Sequence, residues 1–323
     1  YFLENHRPPE YTITILDGLK IYIDDKERDG VRTRTLRGVQ GILRKFAEAT
    51  GNPKVHEVTP QAVGTHLQSL RAKDGVSPAK RKTWNNHRNE ISSFFLWASQ
   101  EDLATSRPWR FNNPAEKIKT FSNERVAEQR PELATTEPER VRKLFTSLMS
   151  FKGGQLVKMF ALAYFAGIRP DEDGEMGKLS RRENELINLK TGIITIPANV
   201  AKTKRARTIR ISANLREWLT AYEDRPIIPT NFSDNYTEAR KPWNLQQDEA
   251  RHSFISYHVA LHRSVGDTAL QAGNSETMIH GHYLNLHTSE EGKLFFSIVP
   301  DIAANKAVFS TEIEHKIQTL RAI

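Results

Sequence analysis

Two arginines, a lysine and a tyrosine, spread over the second half of the sequence, have the chemistry that metal-free attack on a phosphodiester needs. Arg251 stands in the run Asp248-Glu249-Ala250-Arg251-His252-Ser253-Phe254, and Tyr283 lies nine residues beyond Asn274 in Gly273-Asn274-Ser275. Upstream are Gly167-Ile168-Arg169-Pro170-Asp171-Glu172 and a basic turn, Lys202-Thr203-Lys204-Arg205-Ala206-Arg207. Guanidinium groups clamp non-bridging phosphate oxygens in bidentate geometry and meet the charge that grows in the transition state. A tyrosine can form a covalent phosphoryl intermediate, and a lysine can protonate a leaving alkoxide.

These residues must be held by two kinds of element. Residues 10–119 read as helices: Ile13, Leu16, Leu19 and Ile23 recur at helical spacing, as do Leu36, Val39, Leu43 and Phe46, then Val63, His66, Leu67 and Leu70. Thr59-Pro60 and Ser77-Pro78 have the form of helix starts. Ser77 to Trp97 predicts a long helix, basic at one end through Lys80, Arg81, Lys82 and Arg88 and apolar at the other through Ile91, Phe94, Phe95 and Trp97. Such a helix can dock on a bundle and still reach phosphates, and the same pattern fits an ordinary amphipathic helix. Residues 120–134 are polar with few apolar anchors and read as a linker.

Thr136-Glu137-Pro138-Glu139 has capping-box spacing and opens a helix through Val141, Leu144, Phe145 and Leu148. An apolar helix, Leu156 to Ala166, breaks at Gly167, which leaves Arg169 just past the break. Ile193-Ile194-Thr195-Ile196-Pro197 and Thr208-Ile209-Arg210-Ile211 are short and β-branched, so the basic turn between them reads as a hairpin tip. The final stripe Ile313, Ile317, Leu320 and Ile323 predicts a C-terminal helix over 311–323, either packed on its own domain or exchanged between protomers.

Composition bounds the reading. The chain has 323 residues, enough for two domains, with 38% hydrophobic and 27% charged residues. It has no cysteine, which rules out disulfides, thiolate metal sites and cysteine nucleophiles. No stretch approaches the ~18–20 apolar residues of a membrane span. The net charge of +8 suggests a polyanionic partner. Residues 1–130 hold 22 Lys and Arg against 16 Asp and Glu, so most of the excess lies ahead of the chemistry-bearing residues.

The order and spacing of these groups resemble the tyrosine recombinase/integrase family. Arg169 with Glu172 three residues later matches its first arginine box, and Lys202, five residues before Arg207, matches its hairpin lysine, with Lys204 as the alternative. Arg251-His252-Ser253-Phe254 matches the second arginine box, and Tyr283 the nucleophile. Two positions depart: Asp248 and Asn274 stand where the family has His or Lys and His or Trp. Asn274 can donate a hydrogen bond but cannot titrate.

The resemblance implies a mainly α fold with a small β-sheet: a helical core-binding domain (1–119), the linker (120–134), an α+β catalytic domain (135–310) and the C-terminal helix (311–323). It implies site-specific cutting and rejoining of double-stranded DNA through a 3′-phosphotyrosine. Its catalytic residues would be Arg169, Lys202, Asp248, Arg251, Asn274 and Tyr283, with DNA-binding cations Lys80, Arg81, Lys82, Arg88, Lys204 and Arg205. It implies no cofactor, a dimer on one site, a tetramer in a synapse, and a nucleoid-associated cytoplasmic protein. Asp248 and Asn274 keep a non-catalytic DNA-binding protein open, and a type IB topoisomerase-like enzyme is the other alternative. His252 would orient its neighbours, and Tyr257 is the reserve nucleophile. Six of eleven histidines fall between His252 and His287, and His258 and His262, four apart, have the spacing of a metal pair without an acidic partner.

Overall fold

The computed structural model describes residues 12–100, 108–129 and 133–301. The chain divides into two compact units, 1–131 and 132–323.

In the first unit the helices are α1 (Ile15–Arg28), α2 (Thr33–Ala49), α3 (Pro60–Ser69), α4 (Arg81–Ala98) and α5 (Asn123–Ala127). Thr14 caps α1 through its hydroxyl, and Thr59 caps α3 with Pro60 in the first turn. Leu36, Val39, Leu43 and Phe46 are all buried, as the spacing predicts. On α1 the buried stripe is Ile15, Leu19 and Tyr22, one step round from the expected one, because Ile13 precedes the helix and Leu16 and Ile23 lie at the edge of the core. Helix α4 carries the centre of this core: Phe94 and Phe95 are fully buried, and Trp97 donates to Asp25 at 2.9 Å.

Ser77-Pro78 is not a helix start. Pro78 bridges to Arg71, and Asp74 takes the amides of Val76 and Ser77, so the chain turns there and α4 begins only at Arg81. Within 120–134, helix α5 is capped by Ser122 and buries Val126, and the following Glu128 pairs with Arg81 of α4. The predicted C-terminal helix 311–323 lies outside the described residues.

The second unit contains α6 (Pro138–Ser150), α7 (Val157–Phe165), α8 (Glu175–Ser180), α9 (Glu183–Leu186), α10 (Ala213–Ala221), α11 (Phe232–Arg240), α12 (Glu249–His262), α13 (Val265–Ala272), α14 (Glu276–His282) and α15 (Ser289–Phe296). Every residue of α7 is buried, as a helix apolar all round must be. Its one cation, Lys158, pairs with Glu183 and donates to the carbonyls of Glu223 and Arg225.

Strands β1 (Ile187–Asn188), β2 (Ile193–Ile196) and β3 (Arg207–Arg210) form an antiparallel sheet in the order β1-β2-β3, with Ile194 opposite Ile209. Alternation points Ile194, Ile196 and Ile209 into the core. The expected capping box at Thr136 does not form. Thr136 instead donates its hydroxyl to Glu249 (2.7 Å) and its amide to Ser253 (2.8 Å), tying the chain ahead of α6 to α12.

Candidate active site

Helix α7 ends where Gly167 turns to φ +63°. A Cβ at Gly167 would lie 2.3 Å from the Phe254 ring, so both the backbone angle and the packing of α12 demand glycine. The Gly167 carbonyl then accepts from Arg251, one turn inside α12. Arg251 also donates to the Ala272 carbonyl and, at 3.0 Å, to Asn274 Oδ1. It is 3% exposed, and burial together with the charge of Arg169 lowers its pKa to about 9, so it stays a cation at neutral pH.

Glu175, the first residue of α8, is 2% exposed and sits among three guanidiniums. Its Oε1 takes Arg207 Nη1 at 2.6 Å, and its Oε2 lies 3.7 Å from Arg169 Nη1. Burial would raise this carboxyl; the hydrogen bond from Arg207 and the charges of Arg207, Arg251 and Arg169 outweigh that and hold it below the usual range. The sequence places Glu172 three residues after Arg169 as the acidic residue of the first arginine box. Glu172 is exposed, and the chain from Pro170 to Gly174 loops out before α8 brings in Glu175.

Arg207 begins β3 and carries the hairpin into this cluster. Its Nε donates to the Gln271 carbonyl at 3.0 Å, and its Cδ would lie 3.1 Å from a Cβ at Gly273, where φ is +66°. Lys202, Lys204 and Arg205 stand exposed in the β2–β3 turn.

Tyr283 follows α14, 4% exposed, and its Oη is 2.8 Å from His252 Nδ1. Burial raises the Tyr283 pKa and Asp248 adds to the rise, while Arg251 and Arg169 oppose it. Asp248 is exposed at the start of α12 and, among the described residues, makes no hydrogen bond to Tyr283. His280 and His282 are exposed, and the reserve tyrosine, Tyr257, is buried with its hydroxyl on the Thr136 carbonyl at 3.2 Å.

The structure thus brings Arg169, Arg251, Asn274 and Tyr283 together and leaves Lys202 and Asp248 exposed. Sequence reasoning missed Glu175, whose signal was its place as the first carboxylate inside a helix after the Gly174 break. It used Arg207 only as a spacing marker.

In the first unit Lys80 and Lys82 are exposed. Arg81 is held by Glu128 and the Arg125 carbonyl, and Arg88 donates to the carbonyls of Ile118 and Ala115, so both brace the bundle. His258 is engaged by Thr268 at 2.8 Å and Gln271 at 3.1 Å, and among the described residues no group of three or more His, Asp or Glu stands together as metal ligands. No described helix is long and apolar enough to cross a membrane.

Solved structures share this architecture. A lambda integrase dimer bound to a COC′ core site superposes with a TM-score of 0.64 at 14% identity, covering 88% of this chain and 81% of that one. The chain has the integrase fold. The Tn1549 transposon integrase in complex with a circular intermediate DNA gives 0.60 at 14% identity, over 87% of this chain and 98% of that one. A lambda integrase tetramer bound to a Holliday junction gives 0.60 at 13%, over 85% and 84%. No protein-family model and no curated sequence matches the chain. The mainly α architecture with its small sheet is therefore that of the integrase fold, and the cluster around Arg251 and Tyr283 lies in the sheet-bearing unit.

Proposed function

We propose that the chain is a tyrosine recombinase that cuts and rejoins duplex DNA through a phosphotyrosyl link at Tyr283. The observation that carries this reading is the convergence of Tyr283, Arg251, Asn274 and Arg169, from four separate segments, on one centre underpinned by Glu175. Arg169 and Arg251 hold the non-bridging oxygens of the scissile phosphate and meet the charge of the transition state. Arg251 occupies Asn274 Oδ1, which leaves the Asn274 amide hydrogens to donate to a phosphate oxygen. Tyr283 Oη attacks phosphorus, and Lys202 protonates the departing 5′-oxygen when the β2–β3 turn meets DNA. A second 5′-hydroxyl reverses the step with new connectivity. The bond energy stays in the phosphotyrosine, so the exchange consumes no nucleotide. The lambda structures contain a dimer on a core site and a tetramer on a Holliday junction, which supports the same assembly order here.

A second reading, a DNA-binding protein that does not cut, is favoured by the burial of Tyr283 and by Asp248 and Asn274 in place of the family's usual residues. A duplex nicked beside its site separates the two, because the product strand diffuses away and an enzyme is trapped covalently. The wild-type chain is expected to give a protease-sensitive adduct in EDTA. Tyr283→Phe is expected to bind DNA normally and give none. An adduct with the Phe variant would move the nucleophile elsewhere, and none with the wild type would leave only binding.

A further inference from the structure

The cutting reaction needs an acceptor for the tyrosine proton, and Asp248 is exposed and makes no hydrogen bond to Tyr283 among the described residues. The structure offers a different group. His252 Nδ1 lies 2.8 Å from Tyr283 Oη, with ring centroids 5.7 Å apart and the planes inclined by 39°. No other titratable side chain makes a hydrogen bond to Tyr283 Oη among the described residues. The contact is built by neighbouring positions: Arg251 and His252 are consecutive on α12, so the residue that fixes the phosphate-binding guanidinium also fixes the ring beside it.

We propose that His252 is the general base of the cleavage step. This rests on the recombinase reading above. With the proton of the neutral ring on Nε2, the Nδ1 lone pair accepts the Oη hydrogen. As Oη forms its bond to phosphorus, that proton passes to Nδ1. The bond from phosphorus to the 5′-oxygen breaks, and the 5′-oxygen takes its proton from Lys202. Rejoining runs the same path backwards: the 5′-hydroxyl returns its proton to Lys202, and the His252 imidazolium returns the other to Oη.

The charges that face His252 suit a base that must be neutral before the step. Burial lowers its pKa, and Arg251, beside it on α12, and Arg169, past the end of α7, push in the same direction. Asp248 and Glu249, at the start of α12, oppose them. The ring is therefore neutral at pH 7. Asp248 then acts at a distance, favouring the imidazolium once the proton has moved.

Two measurements test this. In ¹⁵N spectra of histidine-labelled wild-type protein at pH 7, His252 is expected as the Nε2–H tautomer, with Nδ1 unprotonated. A proton on Nδ1 would make the ring a donor to Oη and overturn the proposal. The second is single-turnover adduct formation on the nicked duplex across pH. The wild type should lose rate on the acid side, at a pH below the ordinary imidazole range, as the ring protonates. His252→Asn reaches the place of Nδ1 with an amide that bonds Oη but does not titrate. It is expected to bind DNA normally, form the adduct about 10²–10⁴-fold more slowly, and lose the acid limb. An Asn variant that cuts at the wild-type rate with the wild-type acid limb overturns the role of His252 alone. A wild-type chain that forms no adduct at any pH overturns the cutting reaction and the base with it.

Discussion

Among the described residues the first unit buries two imidazoles that touch mainly rings, while the second buries a carboxylate, Glu175, among guanidiniums. In the first, His66 packs edge-on to Phe46 and 5.8 Å from His87, and neither nitrogen of His66 has a hydrogen-bond partner. Among the described residues its one buried guanidinium, Arg110, donates to the Val55 carbonyl and to Asn112, while its Nε has no partner and the group lies over the Phe95 ring. In the second, Glu175 lies among Arg207, Arg169 and Arg251, and Glu249 among Thr136 and the amide of Gln246. Neutral rings can be buried by packing alone. Charges cannot, so each must be met by partners from other segments. Those partners are what fix the arginines. The difference teaches where the precision of this fold lies: the first unit has to be stable and basic outside, and the second has to hold cations still inside.

The largest expected effect comes from removing the shared carboxylate. Glu175→Ala leaves two buried guanidiniums without their counter-charge. Breaking a buried pair from one side costs about 3–5 kcal/mol, so urea unfolding of the second unit should shift by that order while the first unit is unchanged. Adduct formation should be lost with it. A shift below about 1 kcal/mol would mean that water reaches the cluster, and the contrast between the units would then fail.

Acid should expose the opposite weakness. Burial, with His87 adding to it, pushes the His66 pKa down to about 4, against about 6.5 in the unfolded chain. The unfolded state then takes up a proton that the folded state refuses. Stability conferred by the neutral ring is complete above pH 6.5 and is lost as pH falls from about 6.5 to about 4. Urea midpoints of the first unit should fall over that window, and His66→Leu should remove much of the fall. A midpoint that is flat across the window would show that the ring is not held neutral.

The glycine under Arg207 sharpens the comparison on a smaller scale. Gly273 has φ +66° and faces the Arg207 side chain. Gly273→Ala combines a left-handed backbone, about 1–2 kcal/mol, with pressure on the guanidinium. The second unit should lose about that much stability, and adduct formation should fall further than the same loss produced by Leu148→Ala in the core, away from the cluster. Equal falls would reduce Gly273 to a backbone requirement.

Much of this was legible in the sequence, and the limits have physical causes. The helices of the first unit follow from apolar spacing, since each packs one face on one core. The β2–β3 hairpin follows from β-branched runs around a polar turn. Arg169, Arg251, Asn274 and Tyr283, singled out by order and spacing, lie close together in the second unit. Glu175 was not, because three acidic residues precede it and only the looped-out path of 170–174 decides which carboxylate turns inward. The contact between His252 and Tyr283 was also out of reach: the two are 31 residues apart and meet only when α12 and α14 fold together. Among the basic residues of the first unit, type could not separate the cations that brace the bundle from those that face outward.

That separation supplies the smallest expected effect. Arg88 and Arg81 hold carbonyls and a carboxylate of their own unit, whereas Lys80 and Lys82 are exposed at the start of α4. Each phosphate contact removed from a protein–duplex complex lowers the slope of log affinity against log salt by roughly 0.9. If Lys80 and Lys82 both touch phosphate, Lys80→Gln with Lys82→Gln should flatten the slope by roughly twice that amount and leave unfolding unchanged. Arg88→Gln should do the reverse, keeping the slope and weakening the first unit as the carbonyls of 115–118 lose their donor. A slope that answers to Arg88 and not to the lysines would place the DNA on another face of the bundle, and the division between bracing and outward cations would have to be redrawn.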